Sequence, residues 1–520
     1  MTKRDFKLAT MESFVGGLNL RADQFDLAEN ESPDMLNVTV DPRGGVAMRQ
    51  GVDRRNATAL AADVKGIWGF HTDGGTNQLM VNHGTEVAHS AADNFTELTN
   101  ITNRTNGSKV YGTTFNNVAY GVSYDQVSFK WDGSTDADLG TTMDGSAGQM
   151  PKAQYIATWN NFVWCGKIYG EKYRLRWSNL NEAEKWSASD YVDVGKGEGG
   201  DWITGLVPHG DRLIIFKNSS AYAILGFDSD SFQLVQISNS VGSIELSSPV
   251  STPYGVFCWH GREGVYLYDG NTFQSVFDKI RPAIDDGRIT FSNPPELAWC
   301  NNLLYVSVDW TELGATSRRV FTFDPSIGGA WAMHDIDAQP LYAYNLPNGN
   351  STLVGGCVAN TGRVVHIDAD DSRVTDRYTT SETHINSHFT TPWITAKNPI
   401  LSKRWGKARL VTLARASLTL TANVYRDFDN AEAYKTFPVV IEGRDSTSVW
   451  NTAKWDDDDS SSSYFAAWSA RQARKVTDVK RLPTIGTAKA ISMKIEGPKN
   501  EDKTWEVNAL AFTYVPRRLR

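Results

Sequence analysis

The stretch Tyr155-Ile156-Ala157-Thr158-Trp159-Asn160-Asn161-Phe162-Val163-Trp164-Cys165-Gly166 constrains the fold of this chain more than any other. Two runs rich in apolar, β-branched and aromatic residues flank an Asn pair. Asn accepts positive φ more readily than any residue except Gly, so the pair suits the centre of a type I′ turn and the stretch predicts a β-hairpin. The same pattern recurs from Tyr111 to Tyr120 around Asn116-Asn117, and from Glu296 to Tyr305 around Asn301-Asn302. Looser copies run from Leu206 to Phe216 and from Val250 to Trp259. A lone hairpin is marginal in water, but a repeated one supplies its own packing partners.

Taking one residue near each turn as a marker gives Asn77, Asn117, Asn161, Asp211, Tyr254, Asn302 and Asn350, spaced by 40, 44, 50, 43, 48 and 48 residues. Short strands at that period are the signature of propeller blades. A second element recurs between the hairpins: Phe129-Lys130-Trp131-Asp132-Gly133, Leu175-Arg176-Trp177-Ser178, Tyr266-Leu267-Tyr268-Asp269-Gly270 and Phe321-Thr322-Phe323-Asp324-Pro325. Alternation puts both large residues of each run on one sheet face, where a neighbouring blade can cover them. The expectation is an all-β chain with a six- or seven-bladed β-propeller-like domain over residues 61–371. An N-terminal segment (1–60) precedes it and a C-terminal β-sandwich (372–520) follows. The 43 glycines and the 17 Trp, 19 Tyr and 22 Phe favour the same reading, because these types serve turns and strands better than helices.

In the N-terminal segment Ser32 is placed to cap a short helix, Ser32-Pro33-Asp34-Met35-Leu36-Asn37, with Pro33 at its first position. A hairpin is expected next, Asn37–Val40 with Val46–Arg49, joined through Asp41-Pro42-Arg43-Gly44-Gly45. Those glycines read as turn residues, since no strand, glycine loop and helix follow in the order a phosphate cradle needs. Helical turns are expected at Leu180–Trp186 and across Val276–Ile284, the second limited by Pro282. Beyond residue 372 strands are expected at His384–Thr391, Ala408–Leu413, Ser417–Tyr425, Ala488–Ile495 and Trp505–Val515. The Asp456–Ser463 run, four Asp and four Ser, cannot enter a core and predicts an exposed loop.

The chain offers little that reads as catalysis, and no catalytic, cofactor-binding or metal-ligating residue is assigned. Gly195-Lys196-Gly197-Glu198-Gly199-Gly200 matches a dinucleotide-binding spacing, but the sequence after it reads as a strand, not the helix whose N-terminus would hold a pyrophosphate. The aspartates from Asp456 to Asp459 are consecutive and cannot all face one cation. His384 and His388 fall in a strand-like stretch, too far apart to share a metal. Asp324-Pro325-Ser326-Ile327-Gly328-Gly329-Ala330-Trp331 resembles the Asp-box turn of sialidase-like propellers, which braces blades without catalysing. A carboxylate pair drawn from distant blades is the one enzymatic arrangement a propeller could still assemble, and no pair stands out. Cys165, Cys258, Cys300 and Cys357 are widely spaced and sit in strand-like runs as small apolar residues. A net charge of −8 supplies no basic footprint for nucleic acid. The first residues lack the apolar core of a secretory signal, and no apolar run approaches the ~20 residues of a membrane span.

Both ends of the chain carry a further likeness. Phe14-Val15-Gly16-Gly17-Leu18-Asn19, Asn37-Val38, Asp41, Gly44-Gly45 and Arg49-Gln50-Gly51 open it. The run Gly210–Tyr222 continues it, and Trp505–Arg518 closes it. With the aromatic hairpin period between them, these residues resemble the tail nozzle (tail tubular or hub) proteins of short-tailed bacteriophages. The resemblance implies a structural virion protein without enzymatic activity or cofactor. It implies a homohexameric ring in the virion tail, assembled in the host bacterial cytoplasm below the portal and head–tail adaptor. Such a ring continues the channel through which double-stranded DNA passes without sequence-specific binding, and it holds tail fibres or a needle. Two other readings fit a propeller: a carbohydrate- or receptor-binding module, and a propeller glycosidase.

Overall fold

The computed structural model describes residues 6–23, 25–91, 94–101, 104–197, 200–346, 351–367, 374–414, 417–441, 476–498 and 503–517. The acidic run at 456–463 and the turn marker Asn350 lie outside them. Among the described residues the chain is all-β, with one four-residue α-helix.

Seven antiparallel sheets follow one another between Val64 and Ile367. In the first five, four strands lie side by side in chain order, their first strands being Val64–His71, Tyr111–Phe115, Ala153–Trp159, Ile203–His209 and Val250–Thr252. The sixth is built on Glu296–Cys300, Leu303–Glu312, Ala315–Asp324 and Ala330–His334, with Ile289–Thr290 added against the second of these. The seventh has Leu341–Asn345, Ser351–Gly356 and Val364–Ile367, and its fourth strand, Asp53–Arg54, comes from the N-terminal segment. The first strands touch their neighbours in sequence, and Leu341–Asn345 touches Val64–His71, so the ring closes. This is a propeller-like architecture in which one strand from before the first blade completes the last.

The Asn pairs occupy two-residue turns with both residues at positive φ: 48° and 64° at Asn116-Asn117, 50° and 61° at Asn160-Asn161, 50° and 62° at Asn301-Asn302. The flanking partners Phe115–Val118, Trp159–Phe162 and Cys300–Leu303 face each other across them, as type I′ geometry requires. The weaker markers use other chemistry. In the first blade the turn is built on Gly74-Gly75 (Gly75 φ +83°), and Asn77 already begins the next strand. Gly210 at +57° opens the turn before Asp211. Between blades the expected aromatic faces meet. Phe129 and Trp131 pack with Trp68 and Phe70. Trp159, Phe162 and Trp164 pack with Leu213, Ile215 and Tyr222 of the next blade. All four cysteines are buried, and none forms a disulfide among the described residues.

The two ends of the chain make a pair of further sheets. One orders Val476–Ala488, Lys403–Ala414, Trp505–Pro516, Val46–Met48 and Val38–Val40, with Lys7–Met11 also on Trp505–Pro516. The other orders Met35–Leu36, His388–Thr390, Ile491–Glu496, Leu418–Arg426 and Lys435–Ile441. Leu418, Leu420, Ala422 and Val424 alternate buried against partly exposed Thr419, Thr421 and Asn423, so one face of that sheet is core and the other wet. A single apolar cluster joins both sheets to blades five and six through Met11, Phe14, Leu18 and Met35. The described residues between 6 and 60 are therefore shared out, with strands in both of these sheets and in the seventh blade.

Four local expectations are not met. Ser32–Asn37 forms no helix. The Ser32 hydroxyl donates to the carbonyls of Asp34 and Thr390 at 2.9 and 2.8 Å, and the Asn37 N–H donates to Met333 O at 2.9 Å. A one-turn nucleus is too costly to compete with such partners. Leu180–Trp186 is a set of turns. Pro282 opens the helix Pro282–Asp285 instead of ending one, because its missing N–H costs nothing at the first position. The segment from His384 to Thr391 is also broken, into Thr383–His384 and His388–Thr390.

Two buried histidines tie stability to pH. Burial, and after it the Arg49 guanidinium, pushes His334 down to about 3, with Thr322 Oγ1 3.0 Å from its Nε2. Burial and then Arg55 hold His366 at about 3 as well. An unfolded histidine titrates near 6.5, so below that pH the unfolded chain binds protons that the folded chain refuses. Stability from these groups is complete above pH 6.5 and falls as the pH drops toward 3. The slope is about 1 kcal/mol per pH unit for each ring. Urea unfolding at pH 7 and pH 5 should show this loss, and the double variant His334→Gln/His366→Gln should flatten it. An unchanged slope in that variant would refute the assignment.

Candidate functional site

The first strands of all seven blades line an axial chamber of about 340 Å³. A second cavity, about 400 Å³, lies at the end of the ring where those strands begin and shares Lys109, Glu296 and Pro340 with the chamber. It forms a vestibule. Lys109 precedes the first strand of blade two, and Glu296 opens the first strand of blade six. Their ion pair therefore spans the bore between vestibule and chamber. Glu296 is buried and also accepts from Ser248 Oγ at 2.6 Å, while Lys109 Nζ reaches Leu246 O at 3.3 Å and sits 4.9 Å above the Tyr111 ring. A buried pair of this kind adds little net stability but fixes geometry, since either partner alone would be costly to bury.

Glu245 also lines the vestibule. It is ion-paired with Lys167 and accepts from Trp202 Nε1 at 2.8 Å. The structure thus brings two carboxylates from different blades to one mouth, which no sequence spacing announced. Each is held by its own lysine. Burial first, then Tyr155, Glu296 and Glu245, push the Tyr111 hydroxyl well above its usual value, so it stays a protonated donor.

The motifs singled out in the sequence lie elsewhere. Gly195, Gly197 and Gly200 adopt φ of +54°, +96° and +84° and lead into the strand Ile203–His209, with no helix to receive a phosphate. Asp324 Oδ1 accepts from Ser326 N and Oγ at 2.8 and 2.6 Å, bracing a tight turn. Asp132 and Asp269 do the same work in blades two and five, accepting from the N–H groups two and three residues on. His388 Nε2 lies 3.0 Å from Asp34 Oδ1, and no metal-ligand cluster involves it or His384 among the described residues. The channel residues carried one usable signal. Tyr111, Tyr155 and Glu296 each stand five positions before an Asn pair, the place where a first strand starts its run along the axis.

No family model matches the chain, and no curated protein matches it. Solved structures do. A streptogramin B lyase is 10% identical at a TM-score of 0.40, covering 61% of this chain and 97% of its own. The virginiamycin B lyase of Staphylococcus aureus is 11% identical at 0.37, covering 61% and 98%. BamB from Moraxella catarrhalis is 10% identical at 0.32, covering 57% and 96%. Scores this low carry no functional argument; the propeller-like architecture rests on the sheet order and on the closed ring of first strands.

Proposed function

We propose that this chain is a structural virion protein, the tail nozzle or hub of a short-tailed bacteriophage. It would form a ring below a portal–adaptor complex, carry the DNA ejection path onward and anchor fibres or a needle. One observation carries the reading: the terminal residues behind the resemblance are the ones that weld the molecule into a frame. Phe14 is fully buried, and a side chain at Gly17 would meet Trp331 O at 2.6 Å. Asn37 and Arg49 sit in the joint between the propeller and the terminal sheets, and Trp505–Pro516 is central to one of those sheets. A frame tied together at both ends of the chain suits a structural part of a particle.

The closed bore limits where such a conduit could run. The major groove of duplex DNA alone is about 12 Å wide. A chamber of about 340 Å³ crossed by the Lys109–Glu296 pair cannot pass a duplex, so a conduit would have to run between copies of the chain. A head-to-tail ring provides one. The long hairpin Leu303–Glu312/Ala315–Asp324 ends in Leu313-Gly314, with Leu313 fully exposed at φ +51°. A leucine in that conformation costs about 1 kcal/mol where glycine would cost nothing, which a contact burying it in the next copy would offset. Native mass spectrometry and imaging of the purified chain should show a hexameric ring. A strict monomer at high concentration that cleaves glycans would sink the proposal. Leu313→Asp should shift the ring toward monomers by tenfold or more, on the order of 1.4 kcal/mol per contact, while leaving thermal unfolding of the monomer unchanged.

A further inference from the structure

The hairpin Leu303–Glu312/Ala315–Asp324 outgrows its blade. The pairs that flank it end at Ile289 with Trp310 and at Val320 with His334. Beyond Thr311 no other described strand borders it, and every residue from Glu312 to Ser317 is exposed. The turns at Asn116, Asn160 and Asn301 hold Asn pairs at positive φ, whereas this one holds Leu313 at +51° and Gly314 at +81°. Leucine adopts that conformation against its own Cβ, and here it does so fully exposed to water. The tip is a knob that its own chain does not cover.

The terminal sheets carry a matching hollow. A groove of about 220 Å³ is walled by Leu8, Ala9, Met11, Ile394, Ala396 and Phe512. Met11, Ile394 and Phe512 are buried, and Leu8 is 59% exposed. One side of the groove is the strand Lys7–Met11, which pairs with Trp505–Pro516 and with no other described strand, so its outer edge is open to a further strand. Lys397 and Glu29 stand in the same wall. Lys397 and Glu312 are both exposed, carry opposite charges and have no ion pair among the described residues. The charges favour the orientation that brings Glu312 to Lys397 and away from Glu29.

Knob and groove do not meet within one chain, since Leu313 is fully exposed. The tip and the terminal sheets stand at opposite ends of blade six. Asp309 Oδ2 accepts from the N–H of Asn293, a vestibule residue, at 2.8 Å, and the hairpin runs on from there to Glu312, so its tip projects past the vestibule. Asn301-Asn302, at the other end of the same strand, share a cavity with Leu413 and Trp505 of the sheet that contains Lys7–Met11. A contact between two different surfaces repeats head to tail from copy to copy. We infer that the groove beside Lys7–Met11 receives the Leu313 hairpin tip of a second copy of this chain. The inference rests on the ring assembly proposed above and supplies the surface that Leu313 enters.

The test uses the full chain, with assembly read by native mass spectrometry. Leu8→Asp should weaken association about tenfold, matching Leu313→Asp, and should leave thermal unfolding of the monomer unchanged because Leu8 is exposed. Glu312→Lys should weaken association about threefold, and Glu312→Lys/Lys397→Glu should restore it. The four native cysteines are buried, so introduced ones report alone. Leu8→Cys/Leu313→Cys should cross-link between copies on mild oxidation. Val440→Cys/Leu313→Cys should not, because Val440 is exposed on the other terminal sheet. If Leu8→Asp lowers the melting temperature, the cross-link decides. A ring in which Leu8 and Leu313 do not cross-link, or one that ignores both Leu8→Asp and the charge reversal, would overturn the groove and leave the ring reading standing. A strict monomer would overturn both.

Discussion

Replacing Arg49 with Ala is expected to destabilise the protein by about 3–5 kcal/mol, the usual cost of breaking a buried ion pair from one side. Arg49 is 3% exposed, and its guanidinium serves four residues at once. Nη1 and Nη2 hold the two oxygens of Asp376 at 2.8 and 2.6 Å, Nε donates to Asn37 Oδ1 at 2.8 Å, and the Gln50 and Asp335 carbonyls accept at 2.9 and 3.3 Å. Asp376 also accepts from Val52 N at 3.0 Å. The N-terminal hairpin, blade six and the chain leaving blade seven therefore meet on one side chain. Removing it leaves a carboxylate buried without its counter-charge. The measurement is urea unfolding of Arg49→Ala, Asp376→Leu and the double variant Arg49→Met/Asp376→Leu. The double variant should recover much of the loss, since apolar groups of similar volume leave no orphan charge. Equal additivity of the two single losses would show that the residues do not act as a pair.

Phe14→Ala is expected to cost about 3–5 kcal/mol, with Phe14→Leu costing under about 1.5 kcal/mol. The ring is fully buried and meets Phe389 edge-on, with centroids 4.9 Å apart. Its backbone is fixed too: Phe14 N–H donates to Gly44 O at 2.8 Å, and Phe14 O accepts from Gly17 at 3.1 Å. No collapse of the surroundings can fill the hole cheaply, because the cavity would lie between a propeller blade and the terminal sheets, each rigid in itself. Circular dichroism melts on the three proteins check it. If the loss exposes the seam between the two parts, proteolysis of Phe14→Ala should cut between them before the propeller itself is digested. A melting temperature unchanged from the parent would show that the N-terminal segment does not carry this joint.

Much of the architecture was legible because it is local. An Asn pair sets its own φ values, and an alternating aromatic run chooses its own face, so hairpins, blade period and interblade packing could be read from Asn116-Asn117, Asn160-Asn161, Phe129 and Trp131. Ser32–Asn37 shows where that logic ends. Its residues favour a helix, but Ser32 and Asn37 find partners more than 290 positions away, at Thr390 and Met333, and the propensity of one turn is outweighed. The channel site was only partly legible, for the same reason. Glu296 heads a hairpin copy, but Lys109 belongs to no motif, and only ring closure sets the two around one axis.

The sequence by itself determined that this chain is built of repeated β-hairpins, that their aromatic faces stack, and that no local catalytic motif interrupts them. These follow from turn chemistry and alternation, which act within about ten residues. Tertiary structure alone decided how the ring closes with Asp53–Arg54, how both ends of the chain share two sheets, and which polar groups face the axis. Those outcomes depend on contacts between residues hundreds of positions apart, whose energies no short window of sequence contains.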